Sequence, residues 1–392
     1  ADLLAAQSAP VATAVLPRST QQTSWQETEL GMAERFAAMH RGRVLWCGNT
    51  GCWYLWSGTR WEQDETEQIL RCAKQTVVSL FAELAAMTGT DKEDEERRQR
   101  FQKFIAACQR ERFIRAMLNL AKAEDGMAAR VTDFDANDWL LNVENGSINL
   151  RTGELRPHRP EDLCRKLAPV VYDPQATAPT WEAFLSRIMA GNAGMIDFLQ
   201  RAVGASLPAH TREQVLLILH GSGANGKTTF VRTILSMLGD YGASAEPQTL
   251  MARRNDDGVR NDIADLCGAR CVATSETASG KRLDEALVKR LTGGDPVKAR
   301  FLFHEFFTFT PAWRTWLATN HRPEVRGTDH AIWRRLRLVP FDVTIPDAEQ
   351  DKDLPAKLGA ELSGILNWAM AGCVAWQNVG LEAPQEVTDA TN

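Results

Sequence analysis

A glycine-rich segment at residues 221–228 constrains the fold of this chain more than any other feature. GSGANGKT fits the pattern G-x-x-x-x-G-K-[ST] at every fixed position. The apolar run QVLLILH precedes it, and the helix-like segment TFVRTILSMLGDY follows it. The order predicts a buried parallel strand, a phosphate-binding loop and a helix. We therefore expect an α/β P-loop ATPase fold, with a parallel sheet flanked by helices.

The residue types in this loop are those that phosphate binding requires. Gly223 and Gly226 let backbone N–H groups turn toward a phosphate, and the helix N-terminus adds partial positive charge. Lys227 is expected to reach the β- and γ-phosphates, and the Thr228 hydroxyl to ligate Mg²⁺. We predict ATP and Mg²⁺ as cofactors. The predicted nucleotide-binding residues are Gly221, Ser222, Gly223, Ala224, Asn225, Gly226, Lys227, Thr228 and Thr229.

Two further apolar runs end in polar residues that suit ATP hydrolysis. RCVAT is followed by Ser275 and Glu276, and RTWLAT is followed by Asn320. Glu276 is predicted to activate water and to help hold the metal, and Asn320 to hydrogen-bond the attacking water. Many ATPases have two adjacent acids where this chain has Ser275 and Glu276. We therefore expect the metal ion to be held mainly by Thr228 and by phosphate oxygens.

Composition excludes several other classes of protein. The 392 residues are 44% hydrophobic and 24% charged, and no run of 18 apolar residues is present, so a membrane-spanning chain is not expected. The formal net charge is -5, so a DNA-binding surface would have to be local. The eight cysteines are expected to be reduced. Two pairs of cysteines are closely spaced, Cys47 with Cys52 and Cys267 with Cys271. Neither pair is followed by a second Cys or His pair at zinc-finger spacing, so a zinc site is not favoured.

The segments ahead of the loop predict a different domain. Residues 25–141 are mainly helix-like, and VLWCGNTGCWYLWSGTRWEQD interrupts them as a predicted β-hairpin. NVENGSINLRTGELRPH has the turn residues of a second hairpin. The predicted boundaries are a flexible linker at 1–24, a helical domain with β-hairpins at 25–173, the ATPase domain at 174–347 and C-terminal helices at 348–392.

Several blocks together resemble a known family. LILHGSGANGKTTF, GARCVATSET, VKRLTGGDPVKAR, FTFTPAWRTWLATNHRPEVRGTD and HAIWRRLRLVPF are similar, in order and spacing, to superfamily 3 helicases, and specifically to the primase-helicases of phages, plasmids and poxviruses. DFDANDWLLNVENGSINLRTGELRPHRPEDL resembles the helical domain that precedes their ATPase. The resemblance implies a ring-forming, usually hexameric AAA+ helicase that moves 3′ to 5′ on single-stranded DNA and acts at forks. It also implies the cytoplasm of a bacterial host.

The resemblance assigns further residues to the catalytic site. Besides Lys227, Glu276 and Asn320, it matches Arg334 and Arg335 to the arginine finger that reaches the γ-phosphate of a neighbouring subunit. The sequence does not choose between these two arginines. Lys289 is also matched to the family pattern, which implies contact with nucleotide phosphate across the interface.

The resemblance also implies a DNA-contacting hairpin. LTGGDPVKARFLFHEFFTFTP reads as two short strands. In a ring this hairpin would project into the channel, where Lys298, Arg300 and His304 are expected to meet DNA phosphates. The aromatic residues alternate, which favours packing of one face in the core over stacking on bases.

One departure, one misleading pair of acids and two rival functions bear on the resemblance. The family often carries a primase-polymerase domain ahead of the helical domain, whereas only a linker precedes Trp25, so priming is expected from another domain or partner. Asp133 and Asp135 look like paired metal-binding acids but belong to the helical-domain signature. One rival function is an ATP-dependent DNA-binding ring or loader that does not unwind. A small-molecule kinase would not explain the arginine pair.

Overall fold

The structure, a computed structural model, describes residues 25–210, 212–252, 261–275, 281–300, 306–327 and 329–391. The described residues form two compact units. The first unit contains residues 25–39 and 72–124, and the second contains residues 40–71 and 125–391. Glu276, His304 and the predicted linker lie outside the described residues.

The first unit is helical for nearly all of its described length. Asp91 caps one helix by accepting a hydrogen bond from the Asp94 N–H at 2.8 Å. That helix begins with the charged run KEDEERRQR, which is mostly exposed. An ion pair of 2.6 Å joins Arg35 to Glu83 on two other helices. The helices are α1 Glu29–His40, α2 Gln68–Ala86, which starts in the second unit, α3 Lys92–Cys108 and α4 Glu111–Ala121.

Two small sheets open the second unit, and both predicted hairpins are present in them. The strands of the first sheet are β1 Val44–Cys47, β2 Cys52–Trp56, β3 Trp61–Gln63 and β4 Ala128–Ala129. Those of the second are β5 Leu140–Val143, β6 Gly146–Asn149 and β7 Leu155–Arg156. Asn142 is fully buried and donates to the carbonyls of Thr59 and Lys166 at 3.0 and 3.1 Å. This side chain therefore ties the second sheet to loops beside the first.

A five-stranded parallel sheet forms the centre of the second unit. The remaining strands are β8 Leu216–His220, β9 Gly242–Ser244, β10 Cys271–Ser275, β11 Val297–Ala299, β12 Phe307–Phe309, β13 Arg314–Thr319 and β14 Leu336–Pro340. The order in the central sheet is β14-β8-β13-β10-β9, and every neighbouring pair is parallel. β11 and β12 form a separate antiparallel pair.

Helices cover both faces of this sheet. Leu217 and Leu219 belong to one hydrophobic cluster, whereas Leu216 and Ile218 belong to another, so β8 is buried on both sides. The predicted α/β fold with flanking helices is confirmed. The helices are α5 Pro179–Ile188, α6 Ala193–Gly204, α7 Lys227–Leu238, α8 Asn261–Ala264, α9 Glu285–Gly293, α10 His330–Trp333, α11 Leu354–Ala360, α12 Leu362–Val379 and α13 Gln385–Thr391.

The C-terminal helix α12 packs closely on α6. A Cβ on Gly204 would lie 2.1 Å from the Cys373 nitrogen, and one on Gly372 would lie 2.0 Å from the Gln200 carbonyl oxygen. α12 therefore covers the core. Within the described ranges, no single helix has the length and apolar character to cross a membrane; Asp347–Ala360 and Leu362–Val379 pass that test only as a pair, bent by 76°.

Candidate functional site

The predicted phosphate loop joins β8 to α7 at the carboxyl edge of the central sheet. Gly226 has φ +82°, and a Cβ there would lie 2.6 Å from Ile188 Cγ2. At Gly221 a Cβ would lie 2.2 Å from the Phe341 carbonyl oxygen. Larger residues at these two positions would displace the backbone that shapes the loop.

Lys227 is buried inside the loop, with 5% of its surface exposed. Its ammonium donates to the Gly221 carbonyl at 2.8 Å, to Asn225 Oδ1 at 2.9 Å and to Asn320 Oδ1 at 3.2 Å. Burial lowers the pKa of Lys227. Its three donors are thus occupied by neutral oxygens, which an anionic phosphate oxygen would displace with a gain in electrostatic energy.

Asn225 fixes the loop to the end of β14. Its side chain is buried, and its Nδ2 donates to the Phe341 carbonyl at 3.1 Å while its Oδ1 accepts from Lys227. The G-x-x-x-x-G-K-[ST] pattern leaves this position variable, so the sequence predicts nucleotide contact but not this bond. A polar side chain at a buried loop position is the only signal that could have indicated it.

The N-terminus of α7 provides the remaining donors. Gly226 occupies the cap position and no side chain caps the helix there, so the N–H groups of the first turn face the loop without a side-chain partner. Thr228 is exposed in this turn. Free helix N–H groups, an ammonium and a hydroxyl form a donor set that fits a nucleotide triphosphate with Mg²⁺.

The parallel sheet brings Asn320 to this loop. β13 lies directly beside β8, with Thr319 opposite His220, so the residue after β13 falls at the same edge as the loop. The bond between Asn320 and Lys227 follows from that register. Glu276 follows β10 immediately in sequence, but its position lies outside the described residues.

The arginine pair lies at the opposite edge of the sheet. The Leu216 N–H, at the start of β8, donates to the Arg335 carbonyl at 2.7 Å. The five residues of β8 separate this point from the phosphate loop, a span of about 16 Å. The pair therefore lies a full strand length away from the loop of its own chain.

The two arginines differ in exposure and bonding. Arg335 is 8% exposed, and its Nη1 donates to the Ala331 carbonyl at 2.6 Å. Burial and the neighbouring charge of Arg334 lower the pKa of Arg335. Arg334 is exposed, and its described side-chain bond is a 3.3 Å contact with Gln214 Oε1.

Lys289 forms an ion pair that supports the same region. Its Nζ lies 2.7 Å from Asp329 Oδ2, and Asp329 Oδ1 caps α10 by accepting from the Ile332 N–H at 3.0 Å. The bond from Lys289 holds the pKa of Asp329 below its usual value. Within the chain, Lys289 thus positions the helix that leads to Arg334; the predicted contact with nucleotide phosphate stays a prediction.

The predicted DNA hairpin has the expected stem. β11 pairs with β12, and Lys298 lies opposite Thr308 on an exposed face. Phe306 is 45% exposed, and its ring centre lies 4.4 Å from Lys298 Nζ and 4.9 Å from Arg300 Cζ. An exposed ring between two cations is a combination that sequence alternation alone did not predict.

Asp133 and Asp135 flank Phe134, which packs on the first small sheet, and both carboxylates accept hydrogen bonds from backbone N–H groups. Asp133 Oδ2 accepts from the Arg130 N–H at 2.7 Å. Asp135 Oδ1 accepts from the N–H groups of Arg165 and Lys166 at 2.9 and 3.2 Å. Among the described residues, no group of three or more His, Cys, Asp or Glu side chains is placed to hold a metal ion.

Comparisons with known proteins find two family matches in the chain. Residues 33–190 match the family described as D5 N terminal like, and residues 219–335 match a family of unknown function, DUF5906. A protein named "Putative helicase" from Acanthamoeba polyphaga mimivirus is 25% identical over 307 residues, which cover 74% of this chain and 32% of the relative. The chain is therefore similar, at low identity, to a viral protein with a helicase name.

Other viral proteins to which the chain is similar carry helicase or primase names. A "Putative helicase" of Frog virus 3 is 28% identical over 218 residues, covering 50% of this chain and 22% of the relative. A "Putative primase" of African swine fever virus (isolate Tick/Malawi/Lil 20-1/1983) is 26% identical over 218 residues, covering 53% and 22%. The chain thus spans between a fifth and a third of the length of these relatives.

A solved structure shares the fold of the chain. The apo C-terminal region of NrS-1 aligns with a TM-score of 0.52 at 10% identity, over 93% of this chain and 76% of that one. Its A form aligns with a TM-score of 0.50 at 8% identity, over 88% and 71%. At these identities the likeness concerns the fold alone.

Proposed function

We propose that the chain is the motor of an ATP-dependent DNA helicase that works as a ring. The observation that carries this proposal is the division of the catalytic groups between the two edges of one sheet. Lys227 and Asn320 meet at the carboxyl edge, 3.2 Å apart. Arg334 lies at the amino edge, where a second copy would have to supply the nucleotide that it contacts.

Residues of this chain would have separate roles at the carboxyl edge. Lys227 and the N–H groups of α7 would hold the phosphates of ATP, and Thr228 with Glu276 would hold Mg²⁺, which supplies charge neutralisation at the phosphates when bound. Glu276 would accept a proton from the attacking water. Asn320 would orient that water, once phosphate has drawn Lys227 away from its side chain.

Exposure favours Arg334 as the arginine finger. Arg335 is buried and donates to the carbonyl of its own helix residue Ala331, so moving it would leave that carbonyl without this partner. Arg334 is exposed and is tied only through a 3.3 Å bond to Gln214 among the described residues. We assign Arg334 to the neighbour's γ-phosphate and Arg335 to the support of α10.

The β11–β12 hairpin would contact single-stranded DNA. Lys298, Arg300 and His304 would meet phosphates, and Phe306 would offer an exposed ring on which a base can stack. A hexameric ring, 3′ to 5′ movement, a role in phage or plasmid replication and cooperation with a primase complete the proposal. They are supported by the family resemblance, together with the helicase and primase names of the viral relatives.

The experiment that tests this function is DNA unwinding with matched variants. The purified chain, ATP and Mg²⁺ are incubated with a 3′-tailed fork and with a 5′-tailed fork of the same duplex. We expect unwinding of the 3′-tailed fork by the wild type, and none by Lys227→Ala or Glu276→Gln. Arg115→Gln, on the exposed surface of α4, serves as the control and should match the wild type.

Two outcomes would contradict the proposal. DNA-stimulated ATP hydrolysis without unwinding of either fork would indicate the rival function, a DNA-binding ring or loader. Unwinding that persists in Lys227→Ala would mean that the phosphate loop does not drive it.

A further inference from the structure

Two cysteines face each other across the β1–β2 hairpin of the first small sheet. Cys47 ends β1, Cys52 begins β2, and the register places them directly opposite each other. Both side chains pack in the same hydrophobic cluster, where Cys47 is fully buried and Cys52 is half-buried. Both are thiols in the structure. The hairpin therefore holds two thiols on one face, next to its turn.

The backbone separation of this pair suits a disulfide. The Trp46 N–H donates to the Met127 carbonyl at 2.6 Å, on the side of β4, so this residue directs its backbone groups away from β2. The direction alternates along a strand, and the carbonyl of Cys47 accordingly accepts from the Gly51 N–H at 2.9 Å. Opposite residues of this kind have Cα atoms about 5.5 Å apart. Disulfides join Cα atoms about 4.4–6.8 Å apart, so the backbone is already in range.

The side chains need a closer approach than the backbone does. The Cβ atoms of opposite residues are about 4.5–5.5 Å apart, whereas those of a disulfide are about 3.5–4.5 Å apart. Gly51, in the turn between the two cysteines, has φ +66°, and a Cβ there would meet nothing within 4 Å. The turn thus has room to tighten, and the remaining strain would make the bond easy to reduce. A disulfide at this position would therefore be reversible rather than structural.

The two thiols differ in their access to a reagent. Cys52 Sγ donates to the Thr50 carbonyl at 3.3 Å and so lies beside the turn, in which Asn49 and Gly51 are exposed. Cys47 has no exposed surface. A dissolved disulfide would therefore reach Cys52 first, and Cys47 would react only with a sulfur already bonded to Cys52.

Burial makes five other thiols poor nucleophiles. It raises the pKa of each and so lowers the fraction of thiolate, the reactive form; the five are Cys108, Cys164, Cys267, Cys271 and Cys373. Cys267 and Cys271 are about as close in sequence as the hairpin pair, but Cys271 lies opposite Gly242 and Arg314 in the central sheet. This second pair is thus a matched comparison that lacks the cross-strand register.

We propose that Cys47 and Cys52 form a reversible redox site that exchanges electrons with a low-molecular-weight disulfide. The thiolate of Cys52 attacks one sulfur of the small disulfide, forms a mixed disulfide and releases one thiolate. The thiolate of Cys47 then attacks the Cys52 sulfur, closes the internal disulfide and releases the second thiolate. The two cysteine protons pass to the released thiolates, so the small disulfide is reduced to two thiols while the chain is oxidised. The site is independent of the proposed ATPase and helicase function.

The test uses the full reduced chain and oxidised glutathione, without ATP or DNA. After incubation, acid stops the exchange, the remaining thiols are alkylated, and the chain is cleaved with trypsin and analysed by mass spectrometry. Cleavage after Arg43 and Arg60 yields one peptide, residues 44–60, that holds both cysteines. We expect this peptide to lose two hydrogen atoms, to escape alkylation and to carry no glutathione. Excess reduced glutathione should restore both thiols.

Variants that keep one cysteine of the pair separate the two steps. Cys47→Ala should retain one glutathione on Cys52, because no second thiol can release it. Cys52→Ala should leave Cys47 as a thiol, because the reagent does not reach it. Cys271→Ala breaks the comparison pair and should form the internal disulfide as the wild type does. Circular dichroism and thermal denaturation check that each variant is folded.

Three results for the wild-type chain would overturn the proposal, and none depends on the folding of a variant. The first is a 44–60 peptide whose two cysteines are still alkylated after treatment with excess oxidised glutathione. The second is glutathione that stays bonded to Cys52. The third is an internal disulfide that excess reduced glutathione does not open, because the bond would then be structural.

Discussion

The cationic side chains at the two edges of the central sheet differ in how their hydrogen-bond donors are satisfied. At the carboxyl edge, Lys227 is buried and its three donors are all bonded within the chain. At the amino edge, Arg314 is 2% exposed, yet its Nε and Nη2 have no partner in the described residues, and the same holds for Nε of Arg335. Burial lowers the pKa of Arg314 to about 10, so it remains charged at neutral pH.

Under the proposed function, this difference concerns which half of the ATP site one chain would complete. Buried donors without partners are costly, and native proteins keep few of them. At the carboxyl edge, neutral oxygens accept the hydrogen bonds of Lys227, and a phosphate can replace these oxygens. At the amino edge, Glu213 is the acid that interacts with Arg314 and Arg337, and Asp295 and Asp329 are those that interact with Arg335.

The largest expected effect tests whether both edges serve one reaction. Arg334→Ala should reduce ATP turnover by about 10³- to 10⁵-fold, as expected for loss of an arginine finger. Arg335→Ala should instead lower the melting temperature, because it removes the bond to Ala331. Steady-state ATPase assays and thermal denaturation measure the two effects. The reverse pattern would exchange the roles assigned to the two arginines.

A smaller effect concerns the shape of the carboxyl edge. Gly226→Ala places a Cβ at φ +82°, 2.6 Å from Ile188 Cγ2. The left-handed conformation alone costs about 1–2 kcal/mol for a residue with a Cβ. We expect ATP affinity to fall about 10-fold or more, measured by titration calorimetry. Gly359→Ala, where a Cβ meets nothing within 4 Å, is the control. Unchanged affinity in Gly226→Ala would contradict the preformed loop.

The hairpin offers a way to separate DNA contact from ATP hydrolysis. Phe306→Ala removes the exposed ring between Lys298 and Arg300. Affinity for single-stranded DNA should weaken by about 1–3 kcal/mol, the range for loss of one stacked base. Fluorescence anisotropy with a labelled oligonucleotide measures this loss, while ATP turnover without DNA should match the wild type. Unaltered DNA affinity would remove Phe306 from the DNA-binding surface.

The smallest effect concerns the helix that supports the phosphate loop. Glu361 accepts from the N–H groups of Thr180 and Trp181, both at 3.0 Å, and so caps α5. These bonds lower the pKa of Glu361, although burial opposes them as the largest single influence. The stabilisation is therefore present above the unfolded-state pKa and lost as pH falls through the lower folded-state pKa.

Thermal denaturation as a function of pH checks this cap. Glu361→Gln should lower the free energy of unfolding by about 0.5–2 kcal/mol at neutral pH, and the difference from the wild type should shrink in acid. Glu382→Gln, an acid for which the structure gives no side-chain bond, is the matched control. A pH-independent difference would contradict the role of the carboxylate charge.

Sequence reasoning predicted the carboxyl edge better than the amino edge. The loop, β8 and α7 are signalled by adjacent residues, and the parallel register then brings Asn320 to Lys227. The cavity lined by His330, Trp333, Arg337 and Thr388 gave no such signal, because it forms only where α13 packs beside β14, more than 40 residues later in the sequence. The bond from Asn225 to Phe341 likewise depends on distant chain segments.

In the hairpins too, adjacent residues predict some features, whereas others depend on distant segments of the chain. Turn residues in NVENGSINLRTGELRPH were sufficient to predict β5 to β7. The buried bonds of Asn142 to Thr59 and Lys166 were not predictable, because those carbonyls come from other loops. In the same way, the exposed position of Phe306 depends on the cations around it and was not predictable from the alternation of aromatic residues in its segment.

The most direct test of the divided ATP site is to measure turnover together with molecular mass. The wild-type chain is diluted over a wide concentration range, with single-stranded DNA, ATP and Mg²⁺ present. Sedimentation gives the fraction in oligomers, and ATP turnover per chain is measured at each concentration. The account predicts that turnover follows the oligomer fraction and vanishes in the monomer. Equal turnover per chain in monomer and oligomer would contradict it, because one copy would then hold the complete site.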